Sequence, residues 1–179
     1  FKTIKQALIM TVSNIQFPIK LMLENGTYSP ETGESFPLVL PDNVNIQGEN
    51  INNTILNAQS TGGVIYIPLS DNIVIADISI TGGDGPGIRI LWGENIQILN
   101  SHIYNNLSGM SGAGISITAG IDIYMYNLLI ENNVAHLGDG YGGGLYLKST
   151  ESLMVDSVIR NNSAISGGGI YVSNTEPEF

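Results

Sequence analysis

Five short apolar segments, GVIYI (63–67), GIRIL (87–91), GISIT (114–118), GLYLK (144–148) and GIYVS (169–173), begin on glycines 24, 27, 30 and 25 residues apart. A recurring interval of this size decides the fold class before residue propensities do, because each repeat must bury its apolar face on its neighbours. A second apolar stretch follows each of the first four segments, led by Ile73, Ile96, Ile123 and Leu153. A third ends at Ile80, Ile103, Ile130 and Ile159. Three strands per interval predict an all-β, right-handed parallel β-helix with three strands per coil.

Side chains alternate between the faces of a strand, so the pattern assigns columns. Val64, Ile88, Ile115, Leu145 and Ile170 are expected to stack inward, with Tyr66, Ile90, Ile117, Leu147 and Val172 as the next inward column. Ile65, Arg89, Ser116, Tyr146 and Tyr171 are then expected outside, followed by Ile67, Leu91, Thr118, Lys148 and Ser173. Between the second and third strands Asp77, Asn100, Asn127 and Asp156 repeat, and after the third come Asn105-Asn106, Asn132-Asn133 and Asn161-Asn162. Asn tolerates left-handed backbone angles, and its amide can bond to the coils above and below, so both series read as structural ladders at interior bends.

The first residues depart from this repeat. In TIKQALIMTVS (Thr3 to Ser13), Ile4, Ala7, Leu8, Thr11 and Val12 share one side at helical spacing. This predicts a short amphipathic helix within residues 1–14, laid across the end of the solenoid. The β-helix is expected over 15–174, opening with IKLML, FPLVL, VNIQG and TILNA around the turn ENGTYSPETGE, and 175–179 is read as a tail. Unpaired strands at the last coil are expected to favour end-to-end self-association. Phe1 in place of Met, and a stop inside a repeat, predict a piece of a longer protein.

Composition narrows the partners. The net charge is -10 with only six Lys and Arg, none clustered, which argues against nucleic acid and anionic membrane surfaces. No apolar run is long enough to span a membrane, and no signal peptide begins at Phe1. The absence of Cys excludes disulfides and thiolate chemistry.

TIKQAL, ENGTY and GESFPLVLPDNVNIQGEN, in that order, resemble the pectin-lyase-like superfamily of right-handed β-helices, and within it an uncharacterised group of bacterial and archaeal surface proteins. The paired I-x-N-N and G-G-G-I motifs (Ile130 to Asn133 with Gly142 to Leu145, Ile159 to Asn162 with Gly167 to Ile170) are similar to repeats of polymorphic outer-membrane adhesins. The resemblance implies an extracellular or cell-surface location. Enzymes of this superfamily need a calcium-binding group of acids beside an Arg, or several close Asp residues, on the outward strand face. The outward columns here offer Arg89 and no carboxylate, so no catalytic residue is carried over.

The expected function is therefore a non-catalytic surface module for adhesion or carbohydrate binding. The alternative is a polysaccharide lyase or glycoside hydrolase whose catalytic groups lie partly outside these residues. The candidate carbohydrate ligands are Asp84, Arg89, Trp92, Asp139, Tyr141, Tyr146 and Tyr171, since sugar rings stack on aromatic faces while their hydroxyls hydrogen-bond. The bland reading of Asp84 and Asp139, both in Gly-Asp-Gly, is turn chemistry. Asp71, Glu94, Asp122 and Glu151 form an acidic line before the second strand, where stacked like charges would accept calcium unless solvated. His102, expected outward between Ser79 and Leu129, and His136 in the longest loop are unpaired, and two unpaired His residues make no metal site.

Overall fold

The computed structural model describes residues 1–10, 16–136 and 140–174. Within them the chain winds through six coils of parallel strands, as the repeat predicts. The first sheet stacks β1 (Ile19–Leu23), β4 (Val44–Gly48), β7 (Ile73–Ala76), β10 (Glu94–Leu99), β14 (Ile121–Tyr126) and β18 (Ser152–Val155). The second stacks β2 (Gly26–Tyr28), β5 (Thr54–Asn57), β8 (Ser79–Thr81), β11 (His102–Tyr104), β15 (Leu129–Glu131) and β19 (Val158–Arg160). The third stacks β3 (Leu38–Val39), β6 (Ile65–Pro68), β9 (Ile88–Leu91), β13 (Ile115–Thr118), β17 (Leu145–Lys148) and β21 (Ile170–Ser173). A short fourth sheet, β12 (Leu107–Ser108), β16 (Val134–Ala135) and β20 (Ser163–Ala164), enters where the glycine interval exceeds 24 residues. Three strands per coil therefore describe the first half of the molecule, and the second half adds this fourth.

The interior is a set of aliphatic columns. Leu38, Ile65, Ile88, Ile115 and Leu145 stand in register and fully buried, as do Ile67, Ile90, Ile117 and Leu147. Burying each such side chain stabilises by about 1.5–3 kcal/mol relative to leaving it exposed.

Two strands, β6 and β18, are corrected by one residue. In β6 it is Ile65 that pairs with Ile88 and Tyr66 that pairs with Arg89, so Ile65 faces in and Tyr66 faces out. Val64 takes the place of Gly87, and counting from Gly63 slips the strand. A slip of one exchanges the two faces. Pro68, not Ile67, then joins Leu91 in the second outward column. In β18, Ser152 rather than Leu153 continues the inward column of Ile73, Ile96 and Ile123.

The I-x-N-N and G-G-G-I motifs explain each other. Asn106 and Asn133 are buried, and Asn106 Nδ2 donates to Asn133 Oδ1 at 3.0 Å while Asn133 Nδ2 donates to Asn162 Oδ1 at 3.0 Å. A Cβ on Gly87, Gly114 or Gly144 would meet the Nδ2 of Asn106, Asn133 or Asn162 at 2.9, 3.0 and 2.8 Å, and a carbonyl of the next coil as well. Glycine is thus required beside each rung. The partners Asn105, Asn132 and Asn161 take left-handed φ of 52°, 55° and 55°, as do Asp77, Asn100, Asn127 and Asp156 at 57°, 46°, 52° and 50°. That other ladder lies near the surface rather than at an interior bend, with Asn127 and Asp156 exposed. Its rung Asn127 Nδ2 donates to Asn100 Oδ1 at 3.0 Å.

The helix α1 runs Ile4–Met10 and buries Ile4, Ala7 and Leu8 against the first coil, whereas the expected extension through Thr11 and Val12 to Ser13 lies outside the described residues. Thr3 Oγ1 accepts the Gln6 N–H at 3.1 Å, and the buried Glu34 carboxylate accepts the Ile4 and Lys5 N–H groups, tying the helix start to the loop after β2. The segment ENGTYSPETGE, expected as a turn, contains β2 and a 3-10 turn at Pro30–Thr32. The tail 175–179, and with it the expected open edge beyond β21, lies outside the described residues.

Candidate functional site

Parallel register builds the outer face of the third sheet. Val39, Tyr66, Arg89, Ser116, Tyr146 and Tyr171 form one column along the solenoid axis, with Pro68, Leu91, Thr118, Lys148 and Ser173 beside it. Rings on neighbouring coils are held at the strand spacing of about 4.8 Å, which is close to stacking distance. Tyr146 and Tyr171 lie nearly parallel, 9° apart with centroids at 5.7 Å. Tyr141 precedes β17 in a bridge to Ser166, its N–H donates to Ser111 Oγ at 3.3 Å, and its ring stacks on Tyr171 at 4.6 Å. Burial raises the Tyr146 hydroxyl pKa above the usual phenol value, and the neighbouring Tyr171 and Tyr141 hydroxyls raise it further.

Arg89 stands two coils from Tyr146, with Ser116 between them. Its guanidinium carbon is 5.4 Å from the centroid of Tyr66, the ring moved outward by the corrected register. Trp92 occupies the turn after β9 at φ 53° and is 57% exposed, beside Leu69 at φ 52° and 70% exposed. It sits at the exit end of its strand, away from the entry end where Tyr141 lies, and stacks on no ring among the described residues. Asp84 is exposed at the margin of the fourth sheet, bridged to Leu107, with its N–H donated to the Gly62 carbonyl. Asp139 lies outside the described residues. Of the seven candidates, the structure brings Tyr141, Tyr146 and Tyr171 together, aligns Arg89 with them, and leaves Trp92 and Asp84 apart.

The acidic line divides in two. Asp71 stacks with Glu94, and the Asp71 Oδ1 accepts the Glu94 N–H at 2.9 Å, as the Asp42 Oδ1 accepts that of Asp71. Asp122 falls one position further on, level with Asn95, and is followed by Glu151. Among the described residues no three acidic or metal-ligating side chains gather into one group.

One polar cluster was not among the candidates read from the sequence. On the second sheet, as expected, His102 lies in register with Ser79 and Leu129. Its Nε2 is 3.0 Å from Glu131 Oε1, its ring stacks on Tyr104 at 4.2 Å, and Arg160 Nε donates to Glu131 Oε2 at 2.7 Å. The Arg160 hydrogen bond, with His102 adding to it, holds the Glu131 carboxyl below the usual carboxylate range. The four residues come from three coils, and only the register joins them.

Six coils, an asparagine-filled turn and a tyrosine-bearing strand face define a right-handed parallel β-helix. The chain belongs to the family described as a protein of unknown function, DUF1565, which matches it over residues 1–177. No curated protein and no solved structure matches the chain.

Proposed function

We propose that this chain is a non-catalytic β-helix module of the cell surface or extracellular space that binds carbohydrate through the outer face of the third sheet, in the service of adhesion. The observation that carries the reading is the stack of Tyr141, Tyr171 and Tyr146 in line with Ser116 and Arg89. Flat rings suit the apolar C–H face of a sugar, and the tyrosine hydroxyls and the Arg89 guanidinium suit its oxygens. The likeness of its motifs to pectin-lyase-like helices and to outer-membrane adhesin repeats supports the same direction, as fold-level analogy.

Replacing Tyr146 and Tyr171 together by Ala is expected to abolish binding on an oligosaccharide array while leaving the melting temperature nearly unchanged. Loss of both would mean that the rings only pack the structure. Absence of any glycan signal from the unmodified protein would remove the reading, and steady release of unsaturated sugars would favour a lyase in its place.

A further inference from the structure

Arg89 is half-buried on the outer face of the third sheet, and its guanidinium rests over the Tyr66 ring with no carboxylate partner among the described residues. The chain carries 16 Asp and Glu, yet neither outward column of this sheet, from Tyr66 to Tyr171 or from Pro68 to Ser173, contains one. A cation drawn partly out of water without a counter-ion is unfavourable.

Ser116 follows Arg89 in the same column and precedes Tyr146. It faces outward but is only 8% exposed, packed beside Gly112, where a Cβ would meet the Ser116 Cα and Cβ at 2.7 and 2.8 Å. A hydroxyl buried to this degree is ordinarily paired. Here nothing among the described residues pairs with it, and it is not closed to solvent. Packing does not demand a serine, because Gly142 and Gly167 stand beside Tyr146 and Tyr171 in the same way, and those positions hold tyrosine.

An unpaired guanidinium and an unpaired hydroxyl thus lie on adjacent coils, with backbones about 4.8 Å apart. Both are donors without an acceptor. A single group with several anionic oxygens, a carboxylate or a sulfate, can accept from both. Tyr146 flanks Ser116 on the other side, so a sugar bearing such a group can set its acid against the two donors and its ring against the tyrosines.

We propose that Arg89 and Ser116 form an anion-binding subsite that selects glycans carrying an acidic group, an inference that rests on the reading of this face as a carbohydrate site. Titration calorimetry at about 0.15 M salt, where charges more than about 8 Å away are largely screened, compares a β-glucan tetramer with its 6-carboxylated and 6-sulfated forms. At least one charged form is expected to bind about tenfold more tightly than the neutral tetramer, as one charge-assisted contact gives, and the form that gains identifies the acid. Arg89→Gln is expected to erase that preference. Ser116→Ala is expected to cut it about threefold without lowering the melting temperature, because the hydroxyl has no partner in the protein to lose. Lys20→Gln, an equal change of charge on the first sheet, is expected to leave it intact. Charged tetramers that bind no more tightly than the neutral one would overturn the subsite while leaving the glycan reading to the oligosaccharide array. An equal loss in Lys20→Gln would overturn it too, by reducing the preference to overall charge. So would a melting temperature lowered by Ser116→Ala, which would give the hydroxyl a structural role.

Discussion

Tyr146 shows how a single side chain reports its surroundings. Its hydroxyl ionises above the ordinary phenol value of 10.0 because of burial first, and then because of the hydroxyls of Tyr171 and Tyr141. Below about pH 10 the residue is neutral in folded and unfolded chains alike, and its contribution to stability is complete. As pH rises through the ordinary value toward the raised one, the unfolded chain loses its proton first and stability falls. The Tyr28 hydroxyl is raised as well, chiefly by burial and then by Glu24. A phenolate absorbance titration of Tyr146→Phe is therefore expected to lose part of the late-ionising fraction, and an unchanged curve would disprove the stacked environment. The sequence shows Tyr146 and Tyr171 as a pair from their shared place in the repeat. It does not single out Tyr141, which joins them, from Trp92, which does not, because both are aromatic residues flanking strands of the same sheet; Tyr141 precedes β17 in the fifth coil, whereas Trp92 follows β9 in the third.

At the scale of elements, strand existence was legible and strand register was not everywhere so. GIRIL, GISIT and GLYLK carry glycine at a position that tolerates nothing larger, so they align themselves. In GVIYIP, Val64, Ile65 and Ile67 are all buried, and apolarity alone allows two alignments that differ by one residue. Ser152 hides the register of β18 in the same way, a polar residue on an inward column. The two-residue strands of the fourth sheet are too short to leave a period. Asn-Asn pairs were legible as a ladder, but Asn suits both a left-handed turn and a buried rung, and only the structure separates Asn132 from Asn133. This separation has a measurable consequence. Asn133 Oδ1 accepts the Asn106 N–H and Nδ2, while its Nδ2 donates to the Ile103 carbonyl and to Asn162 Oδ1, so its removal orphans several buried groups. Asn133→Ala is expected to cost about 2–4 kcal/mol in chemical denaturation, against under about 1 kcal/mol for Asn127→Ala on the exposed ladder. Equal losses would show that the interior ladder carries no special weight.

Across the whole molecule each coil packs only on its neighbours, so stability accumulates coil by coil and local opening need not involve the rest. The inward residues Leu145 and Leu147 of the fifth coil are fully buried, whereas Ile170 and Val172 of the sixth are 37% and 39% exposed. In a chain that stops after this coil, the sixth coil is accordingly the weaker of the two. In a polypeptide of these 179 residues, the part of the near-ultraviolet signal that Tyr171→Phe removes is expected to fade at lower denaturant than the fluorescence of Trp92, which sits in the third coil. Coincident transitions would mean that the solenoid unfolds as one unit.

The tyrosine stack also has a mechanical meaning, because Tyr141 and Tyr146 belong to the fifth coil while Tyr171 belongs to the sixth. A sugar laid across these rings would grip two turns at once and act as a staple, bound only while they are closed. By mass action it would suppress the parting of the fifth coil from the sixth. Occupancy would then be readable as resistance to unzipping between those two coils, with the ligand serving as a clasp on the spring it rests upon.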